Sequence, residues 1–174
     1  LRSNPLQRFD LVPVLREVFA AYQGIYSDHI LSLAIQPATA PVRGTPELLV
    51  QALDKLLDNA AAFSPPGGAI ELTLDGDGGE WRLRVSNEGP PLPEDLRGRL
   101  FEPMVSGRGG VAHEVHLGLG LHVVELICHA FGGSVEGTDR RDGSGVVFSL
   151  HLPAAAEAAQ DIPDGDREST LNRP

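Results

Sequence analysis

The sequence predicts an α/β (α+β) fold: a two-layer sandwich with about three helices on one face of a mixed, mostly antiparallel sheet. Segments with helical periodicity interleave with alternating segments, but not as regular strand–helix–strand repeats. Residues 70–74 and 81–85 both alternate, and only the turn at 75–79 separates them, which predicts an antiparallel hairpin. The length of 174 residues suits one domain with a flanking segment.

The first half of the chain predicts two helices and a strand. Apolar residues recur at helical spacing over residues 11–22, and residues 29–35 alternate as a half-buried strand does. Thr-Pro-Glu at 45–47 predicts a helix start, because it offers a hydroxyl cap, a proline in the first position and an acid in the first turn. This helix should continue to about Phe63, before the Ser-Pro-Pro-Gly-Gly at 64–68.

The second half predicts a short helix, a loop, a long helix and a closing pair of strands. Residues 94–100 favour a short helix, whereas residues 102–117 lack a period and are rich in glycine, which is typical of a mobile loop. Residues 118–131 predict a long helix that a glycine pair ends. Strands at 134–138 and 146–152 complete the fold.

Composition excludes several classes of site. A net charge of −10, with 14 basic and 24 acidic residues, argues against nucleic-acid binding. Cys128 is the single cysteine, which excludes a disulfide framework, and it lies on an apolar helix stripe that favours a core position. Lys55 is the single lysine and follows no GxxxxG, so a P-loop is absent. His113 and His116 lie three residues apart without an evident third ligand, which argues against zinc.

Two asparagines and a pair of glycines are candidates for a ligand site. Asn59 lies at the edge of a helix's apolar stripe, one turn after Lys55, where a purely structural hydrogen-bonding role is equally open. Asn87 continues the inward row of an alternating strand, and a buried amide without partners costs roughly 1–3 kcal/mol. Gly118 and Gly120 begin the predicted third helix, where free N–H groups attract phosphate, although a flexible loop entry is equally open.

Taken in order, these segments resemble the nucleotide-binding domain of sensor histidine kinases, whose fold is shared with type II topoisomerases and mismatch-repair ATPases. The resemblance covers about residues 9–153. The matching motifs are LDKLLDNA at 53–60 for the N box, VSNEGPPLP at 85–93 for the adenine-reading turn, LFEP at 100–103 for the F box, HLGLGL at 116–121 for the end of the lid and GSGVVF at 143–148 for the last motif. Within the family, residues 87–93 and 116–121 are similar to kinases associated with proteobacterial dedicated sortase systems.

The resemblance implies a site for ATP and Mg²⁺ under a flexible ATP lid. Asn59 would hold Mg²⁺ through its amide oxygen, Asn87 would face the nucleobase, and residues 118–121 would wrap the phosphates. The residues expected at the nucleotide are Asn59, Lys55, Phe63, Asn87, Gly89, Leu92, Arg108, Gly118, Leu119, Gly120, Leu121 and Phe148. For Arg108, a solvated loop position is the alternative.

The chain departs from the family pattern at several positions. Asn87 replaces the usual aspartate, Pro91 and His116 replace glycines, and Ala62 stands where the family has lysine or arginine. An amide both donates and accepts, so we expect a smaller preference for ATP over GTP than an aspartate would give. Lys55 stands where hydrolytic ATPases of this fold have the glutamate that activates water, so phosphoryl transfer to a side chain fits better than hydrolysis.

The predicted function is therefore binding of MgATP and transfer of its γ-phosphate to a histidine on a separate dimerisation domain. The alternatives are a serine kinase of the anti-sigma-factor type and a degenerate module that acts through protein contacts. We expect residues 1–8 to end an upstream linker or dimerisation helix, residues 9–153 to form the ATP-binding domain and residues 154–174 to form a disordered acidic tail. The expected setting is the cytoplasmic domain of a membrane-bound, homodimeric sensor that acts on a response regulator, with this fragment itself monomeric.

Overall fold

Three helices and two sheets make up the part of the chain that the structure describes. The computed structural model describes residues 5–103 and 112–157, and the side chains of residues 5–103 and 120–157. The elements are β1 (Gln7–Asp10), α1 (Leu11–Ile25), β2 (Ile30–Ile35), β3 (Pro41–Gly44), α2 (Pro46–Phe63), β4 (Ala69–Gly76), β5 (Glu80–Glu88), a 3-10 turn (Glu94–Leu96), α3 (Ala112–Ala130), β6 (Ser134–Asp139) and β7 (Gly145–Pro153).

The larger sheet has the strand order β2-β4-β5-β7-β6. Strands β2 and β4 are parallel, and the other three pairings are antiparallel. The prediction of a mixed, mostly antiparallel sheet with about three helices is therefore confirmed. In the register of this sheet Asn87 pairs with Val146, and Val146 pairs with Asp139, so the three residues form one cross-strand row.

The core lies between the helices and one face of the sheet. Helix α2 contributes Leu53, Leu56 and Leu57, none of which is exposed. Burial of each such leucine contributes about 1.5–3 kcal/mol. From the sheet, alternate residues of β4 and β5 point into the same layer, while the residues between them form a more polar outer face. Cys128 is fully buried in this core, and burial raises the pKa of its thiol to about 12.

A second, two-stranded sheet joins the start of the chain to the segment before α2. Strands β1 and β3 pair antiparallel, and Asp10 connects them to α1. Its carboxylate accepts hydrogen bonds from the N–H of Val12 at 3.0 Å and the N–H of Ala40 at 2.8 Å. The sequence did not predict these strands, because four residues are too few to show a period. Residues 7 and 8, which we assigned to an upstream helix or linker, lie in β1.

One helix start and one capping bond differ from the predictions, whereas α2 begins at Pro46 as expected. Helix α3 begins at Ala112, six residues before the predicted start at Gly118. The prediction relied on the missing apolar period and the glycines of residues 102–117. A helix extends over such residues when each added residue closes another backbone hydrogen bond. At the start of α2, Thr45 makes no side-chain capping bond, and Pro46 already removes one of the free N–H groups of the first turn.

One predicted helix is shorter in the structure, and the predicted loop and tail lie partly outside the described residues. The helix predicted at 94–100 is a 3-10 turn over Glu94–Leu96. Half of the loop predicted at 102–117, residues 104–111, and most of the predicted tail, residues 158–174, lie outside the described part of the chain. Residues 112–117, predicted to belong to the loop, lie in α3. The first tail residues bond to the fold: the N–H of Ala154 donates to Gly79 O at 3.0 Å, and the N–H of Ala155 donates to Pro41 O at 2.8 Å.

Candidate functional site

Asn59 presents a buried acceptor without a partner. It lies near the end of α2 and is half-buried, and its Oδ1 is shielded from solvent but accepts no hydrogen bond from the described residues. Buried polar atoms in proteins are nearly always hydrogen-bonded, and an unsatisfied one costs about 1–3 kcal/mol. An amide oxygen left in this state is available to a ligand that brings a positive charge or a donor.

Asn87 lies on the inward face of β5, as the sequence predicted. Trp81, Leu83, Val85 and Asn87 share this face, and Asn87 is only 3% exposed. Its Nδ2 donates a hydrogen bond of 2.9 Å to the carbonyl oxygen of Glu88. This bond orients the amide, leaves Oδ1 as an acceptor for a ligand and uses one of the two N–H groups of Nδ2.

A cavity of about 140 Å³ brings the two asparagines together. Its walls come from the end of α2, the turn after β5 and the start of β7, and they are apolar apart from the two amides. The lining residues are Asn59, Phe63, Asn87, Pro90, Pro91, Leu92, Pro93, Val146 and Phe148. Pockets for whole drug-sized ligands have volumes of about 300–1,000 Å³. The present cavity therefore suits one flat ring system, with the remainder of a ligand outside it.

Gly89 brings the turn after β5 against the end of α2. Its φ is +152°, and a Cβ there would lie 2.4 Å from the carbonyl oxygen of Phe63, so no larger residue fits. The N–H of Gly89 donates to Ser144 O at 3.0 Å, which ties the turn to the β6–β7 connection. Gly89 does not line the cavity, but it sets how closely the cavity's walls approach.

Helix α3 packs on α2 beside the cavity. A Cβ built on Gly120 would lie 3.7 Å from the Cδ of Lys55, so the helix containing Asn59 and α3 approach each other at this point. Gly118 and Gly120 lie inside α3, and the prediction that they begin a helix is therefore wrong. Leu121 is 1% exposed and belongs to the core; it does not line the cavity.

The structure brings together five of the twelve residues that the sequence placed at the nucleotide: Asn59, Phe63, Asn87, Leu92 and Phe148. Lys55, Gly89, Gly120 and Leu121 flank the cavity or lie behind it. Arg108 and the side chain of Leu119 lie outside the described residues, and Gly118 is described only as part of the α3 backbone.

Four lining residues were not predicted to contact the nucleotide: Pro90, Pro91, Pro93 and Val146. The prolines directly follow Asn87 and Gly89, and Val146 lies in the last motif, so motif membership was the available signal.

Tyr22 of α1 and Tyr26, the residue that follows α1, bind two acids of α2 that precede Asn59 in sequence. The hydroxyl of Tyr22 donates to Asp54 Oδ1 at 2.6 Å, and the hydroxyl of Tyr26 donates to Asp58. The two rings stack with centroids 5.4 Å apart. Burial, followed by the bond to Asp54, raises the pKa of Tyr22 above its ordinary value. Both carboxylates are therefore engaged on the α1 side of α2.

Residues 44–156 match the family model described as histidine kinase-, DNA gyrase B- and HSP90-like ATPase. The chain belongs to this ATPase family. Its relatives include the sensor protein CreC of Escherichia coli, 32% identical over 152 residues that cover 84% of this chain and 31% of CreC. The sensor protein DivL of Caulobacter vibrioides is 34% identical over 124 residues, which cover 71% of this chain and 15% of DivL. The chain thus spans less than a third of the length of these relatives.

Solved histidine kinases share the fold of this ATPase domain. The catalytic domain of the histidine kinase ThkA superposes with a TM-score of 0.75 at 25% identity, over 88% of this chain and 100% of that domain. Full-length ShkA, solved in complex with AMPPNP, gives a TM-score of 0.72 at 26% identity, over 91% of this chain and 33% of ShkA. The ATPase domain is therefore of the histidine kinase type. In the described part of the chain, no helix combines the length and apolar character needed to cross a bilayer.

Proposed function

We propose that this ATPase domain binds MgATP and passes the γ-phosphate to a histidine on a separate dimerisation domain of a two-component sensor kinase. The observation that carries the proposal is the cavity between α2 and β7, which joins the unpartnered Oδ1 of Asn59 to the fixed acceptor of Asn87. One amide suits the metal-and-phosphate end of a nucleotide, and the other suits its base.

The base would lie in the apolar cavity. Phe63, Phe148 and the prolines of the turn offer flat or rigid walls to a ring. Because the Nδ2 of Asn87 donates to Glu88 O, its Oδ1 would accept from the amino group of adenine and would repel the carbonyl oxygen of guanine. The smaller ATP preference expected from the sequence assumed an amide free to turn. In this arrangement, turning it would set two carbonyl oxygens against each other.

Mg²⁺ would be held by Asn59. Magnesium prefers oxygen ligands and shares them with substrate phosphates, and an amide oxygen that is buried without a partner meets this requirement. When bound, the ion would offset the negative charge of the phosphates. Asn59 would contribute the oxygen from the part of the cavity wall that α2 provides.

Phosphoryl transfer fits the residues around Asn59 better than hydrolysis. Lys55, one turn earlier on α2, is exposed and offers a positive charge in place of a general base. Asp54 and Asp58 are bound by Tyr22 and Tyr26 on the α1 side of α2, and neither carboxylate lines the cavity. The acceptor would therefore be a side chain presented to the γ-phosphate by another domain.

The wider setting follows from the relatives and forms part of the proposal. CreC and DivL are named as sensor proteins, and this chain would be the cytoplasmic catalytic domain of such a sensor. The partners would be the dimerisation domain of the same protein and a response regulator, with the full protein a homodimer. The substitutions at Asn87, Pro91 and His116 are the grounds for the alternative, a degenerate module, and a nucleotide titration with and without Mg²⁺ separates it from the kinase.

Phosphotransfer to a supplied acceptor tests the proposal. With labelled ATP and Mg²⁺, the isolated chain should gain no acid-labile phosphate, and addition of a dimerisation helix containing the acceptor histidine should produce acid-labile label on that helix. An acid-stable label would support a serine kinase instead. Stoichiometric phosphohistidine on the isolated chain would contradict the division of labour between the two domains.

A further inference from the structure

Leu92, a wall of the cavity, is held at both of its peptide groups. Its N–H donates to Asp139 Oδ1 at 2.8 Å, and its carbonyl oxygen accepts from Arg97 Nη2 at 3.3 Å. Arg97 also forms an ion pair with Asp139, which closes the three groups into a ring. We call this ring the Asp139–Arg97 clip. It joins the turn after β5 to strand β6, although Leu92 and Asp139 are 47 residues apart in the chain.

The turn depends on the clip because it has few other donors. In residues 89–93, only Gly89 and Leu92 carry a backbone N–H, since the other three residues are prolines. Gly89 uses its N–H on Ser144 O, and Leu92 uses its N–H on Asp139. One end of the turn is therefore bonded through Gly89, and the clip bonds the other end through both peptide groups of Leu92, whose side chain also packs in the core.

The clip is anchored in the same row of the sheet as Asn87. Asn87 pairs with Val146 across β5 and β7, and Val146 pairs with Asp139 across β7 and β6. Directly paired residues lie on the same face of a sheet. Asn87 and Val146 line the floor of the cavity, and the third member of the row holds Leu92 above it. The distance between floor and wall thus depends on Asp139.

The charge of the Asp139 carboxylate is stabilised where it lies. The N–H of Leu92 and then the guanidinium of Arg97 lower the pKa of Asp139 below its ordinary value. The carboxylate therefore stays ionised in neutral and mildly acidic solution, and the hydrogen bonds that it accepts are charge-assisted.

We propose that Asp139 and Arg97 are positioning residues that set the width of the base cavity and thereby the affinity for the nucleobase part of the ligand. This inference rests on the proposed function, because it takes the ligand of the cavity to be a purine nucleotide. Neither residue touches the base; both act through Leu92. The clip should therefore affect binding of the base and leave binding of the phosphates unchanged.

The test compares three probes on the 174-residue chain: MgATP, adenosine, and inorganic triphosphate with Mg²⁺. Asp139→Ala should weaken MgATP and adenosine about tenfold, the order expected for loss of a hydrogen bond to a charged group, and leave triphosphate unchanged. Asp139→Asn keeps an acceptor for the N–H of Leu92 and should restore part of the affinity. Arg97→Gln keeps the carboxylate and should lower base affinity less than Asp139→Ala.

Asp77→Ala is the matched control. Asp77 likewise accepts backbone N–H bonds in a turn, from Gly79 at 3.0 Å and Glu80 at 3.3 Å, but it belongs to the β4–β5 turn and does not line the cavity. The Asp77→Ala variant should bind all three probes with wild-type affinity. The unfolding midpoint of this variant measures how much stability is lost when a turn loses such a bond.

The outcomes separate this inference from the proposed function. Failure of the wild-type chain to bind MgATP would overturn the proposed function itself. Wild-type binding together with unchanged adenosine affinity in Asp139→Ala and Arg97→Gln would overturn the clip and leave the proposed function standing. An equal loss of adenosine and triphosphate affinity would also overturn it, because a general structural defect does not distinguish base from phosphate.

Discussion

Replacement of Asn87 by aspartate tests how the cavity would select its base. In the wild-type chain, the Nδ2 of Asn87 donates to Glu88 O at 2.9 Å, in a position only 3% exposed. A carboxylate cannot donate, so Asn87→Asp removes this bond and turns a negatively charged oxygen towards the carbonyl of Glu88. Loss of a buried hydrogen bond with one partner left unsatisfied costs about 1–3 kcal/mol. We expect the free energy of unfolding to fall by about that amount.

Base selection should change little in the same variant. The Oδ1 of Asn87 is already fixed as an acceptor, and an aspartate presents an acceptor in its place. The ratio of ATP to GTP affinity should therefore stay within about threefold of the wild-type ratio, a difference below 1 kcal/mol. Urea denaturation measures the free energy of unfolding, and titration of both nucleotides measures the ratio of their affinities. A stable variant that gains preference for ATP by losing GTP would refute the argument and show that the wild-type amide turns freely.

Two further substitutions test contacts elsewhere in the fold. Tyr26→Phe should lower stability by about 0.5–1.5 kcal/mol, because it removes the hydroxyl that donates to Asp58, and urea denaturation against Phe9→Leu as a packing control would detect the change. His151→Gln tests the pH dependence of a bridge in which His151 lies 2.9 Å from Glu80 and 3.1 Å from Glu136. Partial burial lowers the pKa of His151, but the hydrogen bonds to both glutamates outweigh it and raise the pKa above the ordinary value. A raised folded-state pKa stabilises the protein below the unfolded-state pKa of about 6.5, and this stabilisation is lost as the pH rises through the folded-state value. The variant should therefore lose more stability at pH 5.5 than at pH 9, and an equal loss at both would contradict the ionic character of the bridge.

The sequence predicted those parts of the fold that depend on local pattern. Strands β4 and β5 alternate over enough residues to identify both strands and the turn between them. Helix α2 combines an apolar stripe with a clear start and stop. Strands β1 and β3 are four residues each, and their pairing depends on a contact across about thirty residues of chain, as in the Asp10–Ala40 bond, which no local pattern records.

The same distinction applies to the candidate site. Asn87 could be predicted because it is polar at a position where the alternation of its strand requires an apolar residue. Asn59 lies at the edge of the apolar stripe of α2, and the resemblance of residues 53–60 to the N box identified it. The prolines of the cavity wall predicted only a turn. They line a cavity because the turn lies next to β7 in the fold, and the local sequence does not show this contact. Asp139 has no local signal at all, because its role arises from a bond to Leu92, 47 residues earlier.

The measurement that tests the central claim most directly is calorimetric titration of ATP into the chain, with and without Mg²⁺, repeated with Asn59→Ala. The unpartnered Oδ1 of Asn59 predicts that Mg²⁺ strengthens ATP binding to the wild-type chain. In Asn59→Ala, ATP should bind with and without Mg²⁺ at the same, weaker affinity, while cooperative unfolding is retained. The assignment of this cavity as a MgATP site would be contradicted if the wild-type chain did not bind ATP. The role of Asn59 would be contradicted if Mg²⁺ strengthened ATP binding as much in the variant as in the wild-type chain.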